Sequence, residues 1–497
     1  MSQKYVIACD LGTSGLKVVL VSTEGAVLAA ATEPYPLLST EPKMAEQIPD
    51  EYWNAACRGF RAVRGDRFAP EDCLGIAFGG QWRVIIPVDA EGNVLCNGTI
   101  WCDGRAGEEA QMLTEATSRK FFSENDYWSR LAWMRKHRPE IYERSRWILE
   151  ANAFLKWRAT GRAVSDVTNS FTRSPSPIRQ AFFEEVLGYA GISLEKFPPV
   201  CASTERVGGL TAEAARQLAL PEGTPVFGGC CDIPAAAIGT GRGGLGDVHC
   251  SLGTSGWLST VSARDEVIHT RPPLDAEHDN TFLGSLGIRI GPATNWIVDT
   301  LYSAEKAQLG DGVWALLNEE LSTVPPGCER LLAAPWIFGA RKPLASNAAR
   351  GVFVNLGSHH TRAHMAAALL EGVCFMLRRN LEQNAVNCPA PITSVAVCGG
   401  GTANPRWMQA LADILRIDVV IPADARSRGA VGVAFCALIG LGIMKDFESV
   451  KDHIVIEKIY HPRPETFAEY ELLSKQFDRL YTALEEIFVD LNGPATC

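Results

Sequence analysis

The sequence predicts an α/β protein made of two related lobes, and three observations support this. The chain has 497 residues, enough for two or more domains with sizeable cores. Short apolar runs typical of strands are followed by longer segments with apolar residues at helical spacing. The pentapeptide Leu-Gly-Thr-Ser-Gly occurs twice, at residues 11–15 and 252–256, about half a chain apart. A repeated motif at this distance indicates two copies of one structural unit.

Each copy of the pentapeptide lies between two strand-like runs, so each predicts a β-hairpin with a Gly-Thr-Ser-Gly tip. Glycines let backbone amides approach an anion, and the hydroxyls add further donors. A single copy would be interpreted as a plain tight turn, but the repeat favours two tips that bind one polyphosphate. The phosphate-binding candidates from the tips are Gly12, Thr13, Ser14, Gly253, Thr254 and Ser255.

The two copies differ in the residue that precedes the turn. Asp10 holds this position in the first copy and Ser251 in the second, so only the first offers a carboxylate. A carboxylate beside phosphates suits a hydrated Mg²⁺ ion. Lys17 follows the first turn and either adds a positive charge for the phosphates or is solvated.

Composition excludes several classes of protein. The formal net charge of −10 disfavours a nucleic-acid or anionic-membrane partner. The fifteen cysteines show no metal-ligand spacing, which predicts reduced thiols and no disulfide framework. The N-terminus lacks the layout of a signal peptide, and the longest uncharged run, residues 429–444, is too short for a membrane span. The sequence therefore predicts a cytoplasmic protein.

A second group of polar and aromatic residues lies near a strand at residues 74–78 and a predicted hairpin, residues 84–88 with 94–100. Acceptors, planar donors and flat apolar faces together suit a polyol, which needs paired hydrogen bonds and stacking. The alternatives are a surface ion pair between Asp103 and Arg105, and tryptophans that only fill the core. The group consists of Gln81, Trp82, Arg83, Trp101, Asp103 and Arg105.

The segment from residue 106 to 225 is predicted to be mainly helical, with helices at 108–120, 128–136 and 142–157. It offers no catalytic cluster. A last helix is predicted at residues 464–491 and is assigned a packing role. Its apolar stripe consists of Phe467, Tyr470, Leu473, Phe477, Leu480, Leu484 and Ile487.

Asp232 follows a strand at residues 225–229 and stands where a helix N-cap is expected, with Pro234 in the first turn. Capping alone would explain a lone aspartate. Its place between a glycine pair and the second hairpin favours a functional role. A helix N-terminus would lower its pKa.

A strand at residues 394–398 runs into a glycine loop, and a helix opens at Pro405. This is a nucleotide-loop layout, although the loop lacks the last glycine of a dinucleotide fingerprint. Its candidate residues are Gly399, Gly400, Gly401 and Asn404. A glycine-rich joint at 241–246 places the lobe boundary near residue 245. The predicted domains are 1–245, 246–455 and a C-terminal helical segment, 456–497.

Taken together and in this order, five motifs resemble the FGGY-type carbohydrate kinases, within the sugar kinase, heat-shock ATPase and actin superfamily. They begin at Asp10, Trp101, Gly228, Ser251 and Cys398. The resemblance implies two actin-like, ribonuclease H-like lobes around a central cleft, with the sugar mainly on the first lobe and ATP mainly on the second. Within the family the chain is most similar to xylulokinases and nearby pentulose kinases.

By position, the resemblance implies that Asp232 is the catalytic base and that Asp103 binds substrate hydroxyls. Asp10 and Asp232 would hold Mg²⁺ through water, and the glycine tips, Lys17 and the glycine loop would bind ATP. One departure concerns the sugar: xylulokinases usually have Gln-Met-His-Gly where this chain has Gln81-Trp82-Arg83-Val84. This departure leaves the identity of the sugar open.

The function predicted from the sequence is transfer of the γ-phosphoryl group of ATP to a hydroxyl of a ketopentose such as xylulose. The cofactors are ATP and Mg²⁺, and a homodimer is possible. One alternative is a related kinase for ribulose, glycerol or an erythritol-type polyol. Two alternatives of another class are an ATP-driven actin-like or chaperone protein and a sugar sensor without catalysis.

Overall fold

A computed structural model describes the chain at residues 3–41, 43–119, 122–253, 256–262, 281–283, 290–340, 346, 348–386, 388 and 390–492. These residues form two compact units. The first unit is formed mainly by residues 3–243 and 427–454, and the second mainly by residues 244–262, 283–426 and 455–492.

The strands are β1 Tyr5–Leu11, β2 Gly15–Ser22, β3 Val27–Pro34, β4 Glu46–Gln47, β5 Cys73–Gly80, β6 Ile86–Val88, β7 Gly98–Thr99, β8 Trp147–Leu149, β9 Ser165–Asp166, β10 Val200–Cys201, β11 Arg206–Gly209, β12 Pro225–Phe227, β13 Val248–Leu252, β14 Gly256–Ser262, β15 Thr281–Leu283, β16 Leu332–Ala334, β17 Val352–Val354, β18 Ser394–Cys398, β19 Asp418–Pro422 and β20 Ile456–Tyr460. The helices are α1 Pro49–Arg64, α2 Gly107–Thr117, α3 Tyr127–His137, α4 Pro139–Arg144, α5 Ala151–Thr160, α6 Pro177–Ala190, α7 Ala212–Leu218, α8 Asp232–Gly239, α9 Ile290–Trp296, α10 Ser303–Leu309, α11 Val313–Ser322, α12 Arg362–Ala385, α13 Pro405–Leu415, α14 Arg428–Gly440 and α15 Phe467–Asn492.

The first unit is built on a six-stranded sheet in the order β11-β12-β5-β1-β2-β3. β1 is antiparallel to β2 and parallel to β5, and β5 is parallel to β12. Side chains of β1 alternate between two faces, and Tyr5, Ile7 and Cys9 join the core that contains α1 and α5. α14 and α8 pack against the central strands as well. The carboxyl ends of β1, β5 and β12 therefore lie at one edge of a well-buried sheet.

The second unit repeats this plan in its own six-stranded sheet, ordered β15-β14-β13-β18-β19-β20. β13 is antiparallel to β14 and parallel to β18, β18 is parallel to β19, and β19 is antiparallel to β20. In the first sheet, the neighbouring pairs from β2 through β1, β5 and β12 to β11 are likewise antiparallel, parallel, parallel and antiparallel. The repeated pentapeptide thus marks a repeated topology, with one copy at the first turn of each sheet.

A smaller core lies between α2, α3 and α6 of the first unit and holds Trp128, Phe182 and Phe183 among others. Of the helices in the described ranges, none has both the length and the apolar character that crossing a membrane requires. All fourteen cysteines within the described part of the chain carry free thiols.

Two predicted elements of the first unit differ from the structure. The hairpin of residues 84–88 with 94–100 forms with irregular pairing: single antiparallel bridges join residue 88 to 94 and residue 85 to 99, and β6 also pairs with β8 from much later in the chain. The continuous helix predicted at 142–157 is wrong, because the pairing with β6 interrupts it. Trp147–Leu149 is the strand β8, and it separates α4 from α5. Non-local pairing overrides the local helical pattern here.

The first unit also includes residues 427–454, which the predicted boundaries assign to the second lobe. The physical reason is the packing of α14, which contacts α8, β1 and β5. The helix α15 packs through Tyr470, Leu473 and Phe477 as predicted, but its last buried side chain is Phe488, and Ile487 is half exposed.

Candidate active site

Three of the predicted stretches meet at one edge of the first sheet. Leu11 lies opposite Gly80 in the parallel register of β1 and β5, and a further parallel bridge joins Gly80 to Cys231. The residues that follow these strand ends are the first glycine tip, Gln81 and Asp232. Ligands of open α/β sheets bind outside the carboxyl ends of parallel strands, so this edge is the candidate active site.

The first tip is a hairpin turn, as the sequence predicts. The Gly12 amide donates to the Gly15 carbonyl at 3.0 Å, and Asp10 lies opposite Lys17 on the neighbouring strand. Thr13 is held by two side chains: Gln47 Nε2 donates to its carbonyl at 2.7 Å, and Trp101 Nε1 donates to its Oγ1 at 3.0 Å. Ser14 is exposed. The tip is therefore a supported turn with polar groups at its surface.

The second tip connects β13 and β14, whose register pairs Leu252 with Gly256. The first hairpin instead pairs Leu11 with Leu16, so the same pentapeptide forms two hairpins whose strand registers differ by one residue. The predicted phosphate ligands Thr254 and Ser255 lie outside the described residues.

Asp10 is half-buried at the end of β1. Its Oδ1 atom is buried and has no hydrogen-bond partner among the described residues. Burial raises the pKa of this carboxyl, and the nearby Lys17 ammonium opposes the rise. The N-terminal turn of α14 approaches closely, since a Cβ added at Gly429 would lie 2.3 Å from Asp10 Oδ2. Glycine at 429 thus makes room for the carboxylate.

Asp232 is the first residue of α8 and is half-buried, and Cys231 is the N-cap. The predicted capping position is therefore off by one residue. Its Oδ1 accepts a hydrogen bond from the Ile233 amide at 2.9 Å. The pKa of Asp232 is raised to about 8, first by burial and then by the Asp10 carboxylate. The predicted lowering by the helix N-terminus is wrong, because burial and a like charge outweigh the backbone donors.

Asp10 and Asp232 together fit the demands of Mg²⁺. The Asp10 carboxylate raises the pKa of Asp232 and has a buried oxygen without a hydrogen-bond partner among the described residues, and carboxylates are hard oxygen donors of the type this ion prefers. One other group of described residues has metal-ligand spacing: Glu329, His359 and His360, in the second unit. There the Gly357 amide donates to His360 Nδ1 at 2.8 Å, so the neutral ring carries its proton on Nε2 and that nitrogen cannot bind a cation.

Gln81 is held in place by a glutamine that the sequence analysis missed. Gln81 Nε2 donates to Gln47 Oε1 at 2.7 Å, and the Gln81 amide donates to the Leu11 carbonyl at 2.7 Å. Its Oε1 is buried and has no hydrogen-bond partner within the described ranges. Gln47 also contacts Thr13, so it joins the first tip to the end of β5.

Asp103 and Arg105 form a buried ion pair with Glu46. Arg105 Nη2 contacts Glu46 Oε1 at 2.6 Å and Asp103 Oδ2 at 2.8 Å, and the Ala45 amide donates to Asp103 Oδ2 at 2.8 Å. Asp103 is only 1% exposed. Its oxygens are already engaged within the protein, which differs from the surface ion pair considered as the alternative. Trp101, two residues before Asp103, connects this segment to the first tip through its hydrogen bond to Thr13.

Trp82 and Arg83 follow Gln81 and form a stacked pair. The Arg83 guanidinium lies 4.1 Å from the centre of the Trp82 ring, and its Nη1 contacts Asp126 Oδ1 at 2.9 Å. Burial lowers the pKa of Arg83, and Asp126 opposes this. The buried Trp82 Nε1 has no hydrogen-bond partner in the part of the chain that is described. Phe171 packs against Trp82 at 5.2 Å.

The glycine loop of the second unit lies beside the second tip. Ser251 pairs with Cys398 in the parallel register of β13 and β18, so Gly253 and Gly399 follow adjacent strand ends. Gly399 has φ +99°, and a Cβ on it would lie 2.6 Å from the Leu252 carbonyl oxygen. The next glycine, Gly400, faces open space, whereas Gly401 packs against Leu252.

Asn404 ends this loop by capping α13, because its Oδ1 accepts a hydrogen bond from the Trp407 amide at 2.8 Å. The predicted order of strand, glycine loop and helix is present, and a 3₁₀ turn, Gly400–Ala403, lies inside the loop. The capping bond uses the side-chain oxygen that an adenosine contact would otherwise have available.

Gln47, Glu46, Asp126 and Gly429 belong to the site and were missed by sequence reasoning. Each contacts a predicted residue more than thirty positions away in the chain. The one available signal was the polar pair Glu46-Gln47 between apolar neighbours, which by itself does not distinguish a site from a loop.

The N-terminal domain of the FGGY family of carbohydrate kinases matches residues 5–239, and its C-terminal domain matches residues 248–441. The chain belongs to the FGGY family of carbohydrate kinases. It has a two-domain α/β fold similar to that of solved sugar kinases, as predicted.

Among individual proteins, the chain is similar to a xylulose kinase of Bacillus subtilis (strain 168), with 26% identity over 97% of this chain and 98% of that one. Its fold is similar to ligand-bound xylulose kinase from Lactobacillus acidophilus, with TM-score 0.83 and 23% identity over 98% of this chain and 100% of that chain. A gluconate kinase from the same organism has TM-score 0.82 and 22% identity over 97% and 98%. The two structures support the fold.

Proposed function

We propose that this carbohydrate kinase transfers the γ-phosphoryl group of ATP to a hydroxyl of a ketopentose such as xylulose. The observation that carries the proposal is the position of Asp232 beside Asp10, at the carboxyl ends of β1, β5 and β12. The names of the relatives favour xylulose among the possible sugars.

Asp232 acts as the base in this proposal. The transition state of phosphoryl transfer is loose, so catalysis depends mainly on positioning and charge stabilisation. A carboxylate whose pKa is raised to about 8 accepts a proton more readily than an ordinary aspartate. Its oxygen would orient the attacking hydroxyl and take its proton as the new phosphate ester forms.

Asp10 and Asp232 would hold Mg²⁺, through its water ligands, and the ion would neutralise charge on the phosphate oxygens. Amides of the first tip and the Lys17 ammonium would add to this on the side of the first unit. In the second unit, the tip that begins at Gly253 and the loop Gly399–Gly401 would bind the nucleotide. That both tips contact one nucleotide remains a prediction.

The sugar site would be formed by groups around Gln81. Gln81 Oε1 and Trp82 Nε1 are a buried acceptor and a buried donor without hydrogen-bond partners in the described chain, so they are available to substrate hydroxyls. The charge of Arg83 is balanced by Asp126, which favours an uncharged sugar over a sugar acid. The rigid Arg83–Trp82 stack replaces the smaller side chains of xylulokinases, so a related ketose or polyol is the alternative substrate.

A coupled ADP-release assay over pentuloses, hexuloses, polyols and aldonates tests the proposal. We expect sugar-dependent ADP release with a ketopentose, and a fall of kcat by about 10²–10⁴-fold in Asp232→Asn. Asp89→Asn is a matched control, since Asp89 lies in an exposed loop and bonds only to that loop. ATP hydrolysis that ignores every sugar would instead indicate a conformational ATPase. Full activity of Asp232→Asn would refute the role of the base.

A further inference from the structure

A buried polar network lies behind the turn that leads into Asp232. Lys156 on α5 and Asp166 on β9 are both completely buried, and Lys156 Nζ lies 3.5 Å from Asp166 Oδ2. Buried ion pairs of this kind add little net stability, because the cost of removing two charges from water offsets their attraction. Lys156 contacts the turn at 228–231 directly, and Asp166 is connected to it through Thr168, which indicates a role other than stability.

Both carboxylate oxygens of Asp166 are engaged. Oδ1 accepts hydrogen bonds from the amide and the hydroxyl of Thr168, and Oδ2 accepts one from Asn152 Nδ2 at 2.6 Å. Asn152 is fixed in turn, since its Oδ1 accepts from Asn169 Nδ2 at 3.1 Å. Because the Thr168 hydroxyl donates its single proton to Asp166, its oxygen can only accept from other groups.

The Thr168 oxygen accepts from the turn itself. The Cys231 amide donates to Thr168 Oγ1 at 2.8 Å, and Cys231 is the N-cap residue directly before Asp232. At the other end of the turn, Lys156 Nζ donates to the Gly228 carbonyl at 2.9 Å. The network therefore fixes the first and the last residue of the turn.

The backbone of the turn at 228–231 is restricted to this conformation. Gly229 has φ +67°, and a Cβ on it would lie 2.2 Å from the Phe78 carbonyl oxygen. The Gly228 and Gly229 amides are bonded to carbonyls of Glu205 and Ser203, both at 2.9 Å. With the two side-chain contacts added, the backbone before α8 is anchored on both sides, and so is the direction in which Asp232 points.

We propose that Asp166, Thr168 and Lys156 are positioning residues, which set the orientation of the Asp232 carboxylate through the Cys231 amide and the Gly228 carbonyl. This inference rests on the proposed role of Asp232 as the base. A displacement of about 1 Å in a reacting group can lower the rate by about 10²-fold, so an anchor one residue from the base is well placed to control kcat.

Thr168→Val tests the inference, because valine keeps the shape of threonine and removes the hydroxyl. In the full chain we expect kcat for sugar-dependent ADP release to fall by about 10²-fold, with KM for ATP unchanged. Thr168→Ser, which keeps the hydroxyl, should stay within about threefold of the parent. Ser165→Ala is the matched control: Ser165 neighbours Asp166 on β9 and is buried, but bonds to Glu150 and not to the turn.

The distinguishing measurement is the same substitution in an Asp232→Asn background. If Thr168 acts through Asp232, Thr168→Val should lower kcat no further there. An equal loss in both backgrounds would overturn the inference and indicate general loosening. Retention of kcat within threefold in Thr168→Val would also overturn it, even if Asp232→Asn is inactive and the proposed function stands.

If Thr168→Val does not fold, Lys156→Met combined with Asp166→Leu gives a second test. This pair removes both charges together, so that neither is left buried without the other, and it should retain the fold, checked by circular dichroism. We expect the same loss of kcat, again absent in the Asp232→Asn background. A double variant as active as the parent would refute the positioning role.

Discussion

Substitution of Gly432 by alanine should push apart two helices that touch backbone to backbone. A Cβ added at Gly432 on α14 would lie 1.9 Å from the Ala235 carbonyl oxygen of α8, and a Cβ at Gly239 would lie 1.8 Å from the Arg428 carbonyl oxygen. Ordinary contact begins at 3.4 Å, so the helices must separate by about 1.5 Å locally. Overpacking of this kind costs about 1–3 kcal/mol, more than the roughly 1 kcal/mol that alanine gains over glycine in a helix.

Gly188→Ala is the control for this experiment. Gly188 lies in the helix α6 and has nothing within 4 Å of an added Cβ, so alanine there should stabilise the protein by about 0.5–1 kcal/mol. Urea unfolding, followed by tryptophan fluorescence and by circular dichroism, should therefore shift in opposite directions for the two variants. Since α8 carries Asp232 at its first position, Gly432→Ala should also lower kcat, whereas Gly188→Ala should not.

A Gly432→Ala variant as stable as Gly188→Ala would show that α8 and α14 are not in backbone contact. The assignment of residues 427–454 to the first unit would then lose its physical basis. Loss of stability with full kcat would mean instead that α8 can shift without moving Asp232.

Three further predictions concern buried groups and one glycine. Burial raises the pKa of Glu150 from 4.5 to about 7, so the folded state holds this proton more tightly than the unfolded chain. The free energy of unfolding should therefore fall by about 3 kcal/mol between pH 4.5 and 7. Glu150→Gln should remove this pH dependence in urea titrations. Burial lowers the pKa of His249 from 6.5 to about 3, so its contribution is complete above pH 6.5 and should be about 2 kcal/mol smaller at pH 5; an unchanged pH dependence in His249→Gln would contradict this. Gly399→Ala combines a left-handed backbone with a 2.6 Å clash and should cost about 1–3 kcal/mol and raise KM for ATP. Gly400→Ala, with open space around it, is the control, and equal effects of the two would refute the argument.

Local patterns were enough to predict much of the fold. The strand runs on either side of each pentapeptide indicated both hairpins, and apolar residues at helical spacing indicated α2 and α3 close to the predicted ranges 108–120 and 128–136. At the end of the helix α15, the local pattern predicts the wrong buried residue. Its seventh stripe residue was predicted as Ile487, but Phe488 is buried instead. Three helical turns are about 11 residues, so the position on the same face as Phe477 is near 488. Ile487 lies ten residues after Phe477 and therefore points away from the buried stripe.

What the sequence could not reveal depends on contacts between distant segments. The strand β6 finds its partner in β8, some sixty residues later, and this divides a segment that had a plausible helical pattern. The pKa of Asp232 was predicted to fall because only its own helix could be considered. Its burial and the nearby Asp10 carboxylate, which raise that pKa, both result from tertiary structure.

The helix α14 completes the first unit although it lies nearly two hundred residues beyond α8 in the chain. During synthesis on the ribosome, α8 therefore emerges long before the helix that covers it, and the face of α8 that packs on α14 stays without its partner while most of the second unit is being made. A fragment that stops at residue 243 should for the same reason expose an apolar face and aggregate, although it contains the whole first sheet. Any attempt to prepare this half of the enzyme alone would have to graft residues 427–454 back onto it.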